Sequence, residues 1–428
     1  MSPSVSAGAA FEYGPRRSAI LHNPKPFGFD HAAAERGISA TLIDHIVAVN
    51  HTDCEPGDED SFFVCDLSEV ARLFHNWQHK LPQIKPYYAV KCNNNPHVLQ
   101  VLNQLGASFD CASKGEIDTV LGLGVHPDRI VYANPCKSSS YIRYANQVGV
   151  NLTTVDNIDE LAKMSRFHPH SEILLRISTD DSTAACPLST KFGASVEDCF
   201  ELLQAAKGLN LNVVGVAFHV GSGATEFSAF EKAVVDARAV FDRGISLGFN
   251  MNTLDVGGGF CLATFDESSR VLSAALNEHF PENVEFIAEP GRYMVDSAFT
   301  LACNVIAKRS AGQEGSRIYV NDGVYGNLNC IVYDHRIVDV EVLTSNGSFV
   351  LNSTGSTNPN IASVWGPTCD GLDCISAETK LAHPVEVGDW LVVRSIGAYT
   401  SSATTSFNGF KQHAEVEYIA TDRNISIE

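Results

Sequence analysis

The chain has 428 residues, of which 44% are hydrophobic and 19% are charged. These proportions are typical of a globular protein with a large core, and the length predicts two domains. The formal net charge of −20 argues against nucleic acid or an anionic membrane as a partner and is compatible with a small cationic substrate.

The cysteines predict a reducing environment. All twelve are scattered singly along the chain, which favours free thiols in the cytoplasm. No Cys/His cluster has the spacing of a zinc site, so we expect no metal. No apolar run approaches the ~18 residues that a membrane helix needs, and the first residues lack the order of a secretory signal. We therefore expect a cytoplasmic protein.

The first part of the chain carries little pattern. Residues 1–45 are rich in small residues and prolines and are interpreted as a partly ordered N-terminal arm. Residues 46–84 form a lead-in. Its β-prone run SFFVCDL (61–67) is expected to add a strand to a β domain that lies later in the chain.

Residues 85–295 alternate short β-prone runs with helical segments, many of which end in glycine. This pattern predicts a (β/α)8 barrel, and an open doubly wound sheet is the alternative. The eight runs are residues 85–91, 107–113, 129–135, 151–156, 172–178, 212–221, 252–260 and 284–292.

Residues 296–428 have a different pattern. Runs such as SRIYVND, DWLVVRSI and HAEVEYIA are separated by turn-rich loops without good helices. This part is predicted to be an antiparallel β domain, a barrel or a sandwich.

In a barrel of this type the functional residues lie at the carboxyl ends of the strands. The predicted strand ends carry charged residues and glycines where a packed strand would prefer aliphatic side chains. One of them is Lys91, which ends the apolar run PYYAVK. A lysine amine in a partly desolvated site has a lowered pKa and can form a Schiff base.

Two loops are expected to bind a phosphate. DVGGGF places Gly257, Gly258 and Gly259 directly after the seventh strand, and EPGR places Arg292 after the eighth. These are the two loops that barrel enzymes favour for phosphate, and backbone N–H groups and a guanidinium are suitable donors. Ser222 in HVGSG is a further hydroxyl donor.

Glu289 is predicted to lie beside these loops, where a carboxylate can anchor a protonated ring nitrogen. A Schiff-base lysine, a phosphate-binding loop and such a carboxylate together indicate pyridoxal 5'-phosphate (PLP) as the cofactor. His219 is then a candidate to stack on the face of the cofactor ring.

Nine motifs in this order resemble the eukaryotic ornithine decarboxylase family, which is PLP-dependent and has an alanine-racemase-like barrel and a β domain. The resemblance runs from about residue 60 to 415. The motifs are YAVKCN, FDCAS, LLRI, HVGSG, DVGGGF, AEPGRYMV, DGVYGNLNCIVYDH, WGPTCDGLD and GAYT…FNGF.

The resemblance implies a role for each matched residue. Lys91 would bind PLP covalently, Glu289 would pair with the ring nitrogen, and His219 would stack on the ring. Asp110 and Arg176 would support the cofactor pocket. The residues that would surround the phosphate are Ser222, Gly257, Gly258, Gly259, Gly291, Arg292 and Tyr399.

The resemblance also implies how the substrate is held. Asp334 and Asp370 would bind its distal ammonium group, with Tyr333 and Phe407 beside them. Cys369 would protonate Cα after carbon dioxide has left, as the pKa of a thiol allows. The family forms head-to-tail homodimers, so Cys369 and Asp370 would complete the active site of the partner subunit.

The implied activity is decarboxylation of L-ornithine to putrescine and carbon dioxide. The chain departs from the family after YDH, where it continues RIVDVEV. Decarboxylation of lysine or a related amino acid in a specialised pathway therefore stays open as an alternative. A catalytically idle regulatory homologue, a diaminopimelate decarboxylase and an alanine racemase are further alternatives. The first of these would have lost site residues, the second requires a partner for a distal carboxylate, and the third requires a tyrosine as its acid.

Overall fold

The computed structural model of the chain describes residues 29–49, 52–180, 188–221, 227–280, 283–310, 312, 315–355, 359–410, 413–422 and 425. Helix α1 (His31–Ala48) begins within the segment interpreted as an arm. Its buried residues Ala34, Ile38, Leu42 and Ile46 are four apart, a stripe that the sequence analysis did not recognise. The helix packs through Leu42 against Trp390. Strand β1 (Phe62–Asp66) follows and pairs with a later sheet.

Eight parallel strands form a closed barrel. The last strand pairs with the first, with Phe286 opposite Ile84, and this pairing closes the ring. The predicted (β/α)8 barrel is therefore confirmed, and the alternative of an open doubly wound sheet is wrong. In chain order the barrel strands are β2 (Ile84–Ala89), β3 (Ser108–Cys111), β4 (Ile130–Tyr132), β5 (Leu152–Val155), β6 (Glu172–Arg176), β7 (Asn212–Ala217), β8 (Thr253–Asp255) and β9 (Glu285–Ala288).

Helices connect the barrel strands on the outside. Several begin at a capping residue: Asn95 accepts a hydrogen bond from the N–H of His97 at 3.1 Å, and Asn157 accepts one from the N–H of Glu160 at 2.9 Å. Such caps start a helix soon after a strand ends and keep the loops at the mouth short. The helices are α2 (Leu67–Lys80), α3 (Pro96–Gln104), α4 (Lys114–Gly122), α5 (Ser139–Val148), α6 (Ile158–Phe167), α7 (Val196–Gly208), α8 (Ser228–Ser246) and α9 (Phe265–His279).

Trp77 of α2 is fully buried and stabilises the point where the barrel closes. Its ring stacks on Phe265 of α9 with centroids 5.4 Å apart, and its Nε1–H donates to the carbonyl of Ile84 at 3.0 Å. These contacts hold the first and last helices of the ring against the first strand.

The second domain is built on a sheet of eight strands, which confirms that a β domain follows the barrel. The strands and short helices after the barrel are α10 (Arg292–Val295), β10 (Phe299–Ser310), β11 (Ser316–Val320), α11 (Cys330–Tyr333), β12 (Val340–Val342), β13 (Thr344–Ser345), β14 (Ser348–Phe349), β15 (Asn360–Trp365), β16 (Cys374–Leu381), β17 (Trp390–Arg394) and β18 (Glu415–Ile419). The order of the strands in the sheet is β12–β17–β10–β11–β15–β16, with β1 beside β10 and β18 beside β1. The pairs β11–β15 and β1–β18 are parallel, and the other pairs are antiparallel.

In the part of the chain that the structure describes, no helix is both long enough and apolar enough to cross a lipid bilayer.

Candidate active site

Lys91 and Asp110 meet at the mouth of the barrel. Lys91 lies in a 3-10 turn directly after β2, and its Nζ forms an ion pair with the carboxylate of Asp110 on β3. The register of these strands, with Ala89 opposite Asp110, brings the two side chains together. Asp110 is fully buried, and burial raises the pKa of its carboxyl group in spite of the attraction of Lys91.

The pKa of Lys91 does not follow the expectation from the sequence. Burial alone would lower the pKa of the amine, but the charges of Asp110 and Glu289 outweigh burial and raise it. The expectation of a lowered pKa is therefore wrong for the chain without cofactor. The ammonium must lose a proton before Lys91 can form a Schiff base, and Asp110 is in contact to receive it.

Arg176 ends β6 at the same mouth. Its guanidinium carbon lies 5.3 Å from the centre of the Phe192 ring, in cation–π geometry. The N–H of the next residue, Gly193, donates to Asp156 Oδ2 at 2.9 Å, which holds this loop against the end of β5. The positive charge of Arg176 is thereby held among the carboxyl groups of the mouth, where it partly offsets the rise that burial causes in the pKa of Asp110.

His219 follows β7 as a neutral imidazole. Burial, with the positive charges of Arg176 and Lys91, lowers its pKa to about 3. Its carbonyl accepts a hydrogen bond from Thr179 Oγ1 at 2.9 Å, and its Nδ1 has no hydrogen-bond partner among the described residues. An uncharged aromatic ring held in this way can stack on another ring.

The glycine run 257–259 passes very close to the loop after β7. Gly257 and Gly259 have φ angles of +67° and +94°. A Cβ added to them would lie 2.1 Å from the carbonyl oxygen of Phe218 and 2.2 Å from that of Val220. Only glycine fits here, because a Cβ at either position would collide with the backbone of the loop after β7.

Glu289 follows β9 and lies beside the glycine run. Its N–H donates to the carbonyl of Gly257 at 2.7 Å. The side chain is 7% exposed, and its Oε1 has no hydrogen-bond partner among the described residues. Burial and the nearby carboxyl groups of Asp110 and Asp255 raise the pKa of Glu289 well above its usual value.

Asp255 is a site residue that the sequence analysis missed. It ends β8, is buried, and lies beside Glu289, because β8 pairs with β9. Its Oδ1 accepts the N–H of Gly257 at 2.8 Å. Burial raises the pKa of Asp255 to about 7. The rule that found Glu289, a charged residue at a strand end, would also have found Asp255.

Arg292 and Asp334 form an ion pair at the rim of the mouth. The pair joins α10, which follows the last barrel strand, to the loop after α11 of the β domain. Burial would lower the pKa of Arg292, but Asp334 and Asp296 outweigh burial and raise it. The sequence analysis predicted that Arg292 binds a phosphate and that Asp334 binds a substrate ammonium, whereas in this structure the two side chains neutralise each other.

The loop with Tyr399 connects the β domain to the turn of Lys91. The N–H of Tyr399 donates to the carbonyl of Cys92 at 2.8 Å, and the Tyr399 ring lies 5.3 Å from the guanidinium carbon of Arg292. A Cβ on Gly291 would lie 2.9 Å from Cβ of Cys92, so this contact also requires a glycine. The predicted phosphate residues 291, 292 and 399 are therefore neighbours.

The other predicted substrate residues lie on the surface of the β domain. The hydroxyl group of Tyr325 donates a hydrogen bond to the Asp370 carboxylate, and this bond lowers the pKa of Asp370. The Tyr325 ring stacks on Phe407 with centroids 4.5 Å apart. The Cys369 N–H donates to Asn408 Oδ1 at 3.0 Å, and its side chain is exposed.

Within the described residues no hydrogen bond joins Cys369 or Asp370 to the barrel of the same chain. Tyr333 is 63% exposed. Ser222 lies outside the described residues, so the structure gives no position for it.

The described residues fit PLP. The mouth offers an amine at Lys91 and a backbone cradle at 257–259 that side chains would fill. A Cβ on Gly258 would lie 2.8 Å from His219 Nε2. Glu289 offers a buried carboxylate oxygen that lacks a partner among the described residues. An aldehyde, a phosphate and a ring nitrogen each have a complementary group.

Residues 67–296 match the family model described as "Pyridoxal-dependent decarboxylase, pyridoxal binding domain". This segment includes Lys91, Asp110, His219 and Glu289. The chain belongs to the pyridoxal-dependent decarboxylase family. It is a PLP-dependent amino-acid decarboxylase, as the resemblance in the sequence implied.

Relatives of this decarboxylase match most of its length. Ornithine decarboxylase of Saccharomyces cerevisiae is 52% identical over 409 residues, covering 92% of this chain and 88% of the yeast protein. Antizyme inhibitor 2 of Xenopus laevis is 47% identical over 405 residues, covering 90% of this chain and 86% of that protein. The arginine decarboxylase of Paramecium bursaria Chlorella virus has a similar structure, with a TM-score of 0.82 and 33% identity. That match covers 89% of this chain and 100% of the viral chain.

Proposed function

We propose that this decarboxylase converts L-ornithine to putrescine and carbon dioxide. The observation that carries the proposal is the 52% identity with the yeast ornithine decarboxylase over 92% of the chain. The reaction breaks the bond between Cα and the carboxylate and places one proton on Cα. A donor for that proton and a binding site for the distal ammonium are therefore needed in addition to the cofactor.

The barrel residues would hold the cofactor. Lys91 would bind its carbonyl carbon, the backbone of residues 257–259 and Arg292 would bind its phosphate, and Glu289 would face its ring nitrogen. His219 would lie against the ring face as a neutral imidazole. When bound, PLP supplies an electron-accepting ring for the pair of electrons that the departing carboxylate leaves on Cα.

The Arg292–Asp334 pair would separate when cofactor and substrate bind. A phosphate beside Arg292 offers the guanidinium a second anionic partner, and the distal ammonium of ornithine offers Asp334 a second cationic partner. Arg292 would exchange the anionic Asp334 for the anionic phosphate, and Asp334 would exchange the cationic Arg292 for the cationic ammonium group. Ion pairing with both ligands would then replace the pairing in the free protein.

The Cys369–Asp370 loop would act in a second copy of the chain. Both residues are anchored on the surface of the β domain by Asn408 and Tyr325. Large apolar side chains around this loop and the neighbouring loops are exposed, which is typical of a surface that associates. They are Tyr333 (63% exposed), Ile337 (92%), Leu372 (73%), Phe407 (42%) and Phe410 (45%).

A head-to-tail homodimer would place this loop over the barrel mouth of the partner subunit. There Cys369 would give its thiol proton to Cα, and Asp370 would bind the distal ammonium together with the other chain's Asp334. The eleven described cysteines are all free thiols, and we expect the enzyme to act in the cytoplasm, where thiols stay reduced.

The experiment is an assay of products. The purified chain with PLP should release carbon dioxide from L-ornithine and form putrescine in equal amounts, and Lys91→Ala should form neither. A chain that binds PLP and releases no carbon dioxide from ornithine, lysine, arginine or diaminopimelate would be an idle homologue, and the proposal would be wrong.

A further inference from the structure

We propose that Asp255 is a positioning residue that shares one proton with Glu289 and thereby sets the charge that Glu289 presents to the cofactor's ring nitrogen. The inference rests on the role of Glu289 in the proposed function. It gives a role to Asp255, to which the sequence analysis assigned none, and it states where the proton of the pair is held.

The backbone brings the two carboxyl groups together. Asp255 and Glu289 end adjacent barrel strands, and the strands stay hydrogen-bonded beyond their last paired residues. The N–H of Val256 donates to the carbonyl of Ile287 at 2.9 Å, and the N–H of Glu289 donates to the carbonyl of Gly257 at 2.7 Å. The positions of both side chains are therefore fixed by the barrel itself.

Two buried carboxyl groups placed side by side require a proton. Asp255 Oδ1 accepts the N–H of Gly257 at 2.8 Å, and the carbonyl of the same glycine accepts the N–H of Glu289 at 2.7 Å, so both residues are held at one point of the mouth. Among the described residues neither Asp255 Oδ2 nor Glu289 Oε1 has a donor partner. Two ionised carboxylates have no donor between them and repel each other, whereas one shared proton makes the contact a hydrogen bond.

The balance of charges around the pair also requires one bound proton. Asp110, Asp255 and Glu289 could contribute three negative charges, whereas Lys91 and Arg176 contribute two positive charges and His219 is neutral. All of them lie in or around the buried mouth, where an uncompensated charge is costly. One proton on the Asp255–Glu289 pair makes the group neutral.

The pair can then supply a proton to the ring nitrogen of the cofactor. The shared proton would pass from the pair to the nitrogen, so that one O–H bond is broken, one N–H bond is formed, and both carboxyl groups become anions. The positive ring nitrogen would replace the proton in the balance of charges. Asp255 would hold Glu289 in place through the shared proton before the cofactor binds, and it would not itself need to touch the cofactor.

The test follows the shared proton directly by infrared difference spectroscopy on the full chain with PLP and after its removal. The cofactor-free protein should show the C=O stretch of a protonated buried carboxyl group below about pH 7, and adding PLP should remove it. Asp255→Asn and Glu289→Gln should each lack this change. Asp66→Asn is the matched control, because Asp66 is buried, also ends a strand and accepts a backbone N–H at 2.9 Å; it should keep the change.

The affinity for PLP gives a second measurement. Asp255→Asn and Glu289→Gln should each weaken PLP binding by about tenfold, and the double variant should be no weaker than the worse single variant. Asp255→Glu, which can still share a proton, should recover part of the loss. If Asp255→Asn does not fold, Glu289→Gln alone must still abolish the infrared change.

The proposal is overturned if the wild-type protein shows no protonated carboxyl band, if Asp255→Asn keeps it, or if the two losses in affinity multiply in the double variant. These measurements need no substrate. A failure of the proposed function, with turnover of a different amino acid, would leave them unchanged, so the two failures are distinguishable.

Discussion

Asp373 is expected to control turnover although it lies outside the predicted site. It is buried and follows Cys369 and Asp370 by a few residues. Its carboxylate accepts the N–H of Val324 at 2.9 Å and both the N–H and the hydroxyl of Thr368 at 3.0 and 2.6 Å. These bonds fix the loop that would carry Cys369 into the partner subunit.

The substitution Asp373→Asn keeps the size of the side chain and removes its charge. An amide has one acceptor oxygen, so at least one of the three buried donors loses its partner, at a cost of about 1–3 kcal/mol in the free energy of unfolding. A displacement of the Cys369 thiol by about 1 Å would lower kcat by about ten- to a hundredfold. The assays are thermal unfolding and the rate of carbon dioxide release, measured well below the unfolding temperature.

Asp389→Asn is the matched control. Asp389 is equally buried in the same domain and accepts four hydrogen bonds: the N–H groups of Asn346, Gly347 and Glu386 at 3.0, 3.0 and 2.8 Å and the hydroxyl of Thr344 at 3.1 Å. We expect it to lower the unfolding temperature by at least as much and to leave kcat within about twofold of wild type. The reasoning is refuted if Asp373→Asn is destabilised and keeps the wild-type kcat, or if both variants lose kcat equally.

Three further predictions concern the barrel and the dimer. Gly258→Ala places a Cβ 2.8 Å from His219 Nε2 and should weaken PLP binding at least about tenfold; Gly122→Ala, with nothing within 4 Å of its Cβ, should not, and equal affinities would contradict the cradle. Mixing inactive Lys91→Ala and Cys369→Ala chains should restore about a quarter of wild-type activity, because half of the random dimers have one intact site; no recovery despite subunit exchange would refute the shared site. The His219 pKa is lowered from 6.5 to about 3, so only the unfolded chain takes up its proton as pH falls through 6.5, and stability is lost by about 1 kcal/mol at about pH 5.5. Chemical unfolding at pH 7 and 5.5 should show this loss in wild type and less of it in His219→Gln, and an equal loss in both would contradict the assignment.

The barrel and most of its strand-end residues could be predicted from sequence. The alternation of β-prone and helical runs fixes which residues end a strand, and parallel strands bring those ends to one mouth. Lys91 and Glu289 were found in this way and Asp110 through the family resemblance, and the structure places them together.

The pKa values and pairings could not be predicted, because they depend on distances across strands that have no fixed separation in sequence. The raised pKa of Lys91 requires knowing that Asp110 touches it. The Arg292–Asp334 pair joins two domains and has no local signal. Asp255 was missed for a different reason: it was treated as part of a glycine motif, although it is the last residue of β8, just as Glu289 directly follows β9.

Helix α1 (His31–Ala48) shows a further limit of pattern analysis. Its buried residues Ala34, Ile38, Leu42 and Ile46 are four apart, but other alanines surround this short apolar stripe and obscured it. The sheet that covers this face combines the nearby strand β1 with strands far along the chain, and the latter have no signal in the sequence near the helix.

The substrate is the central claim, and the ratio of kcat/KM for L-ornithine to that for L-lysine tests it most directly. The two amino acids differ by one methylene, which a binding site discriminates by about 10- to 200-fold. The account predicts a ratio well above one, with Lys91→Ala inactive on both. A higher kcat/KM for lysine would contradict it.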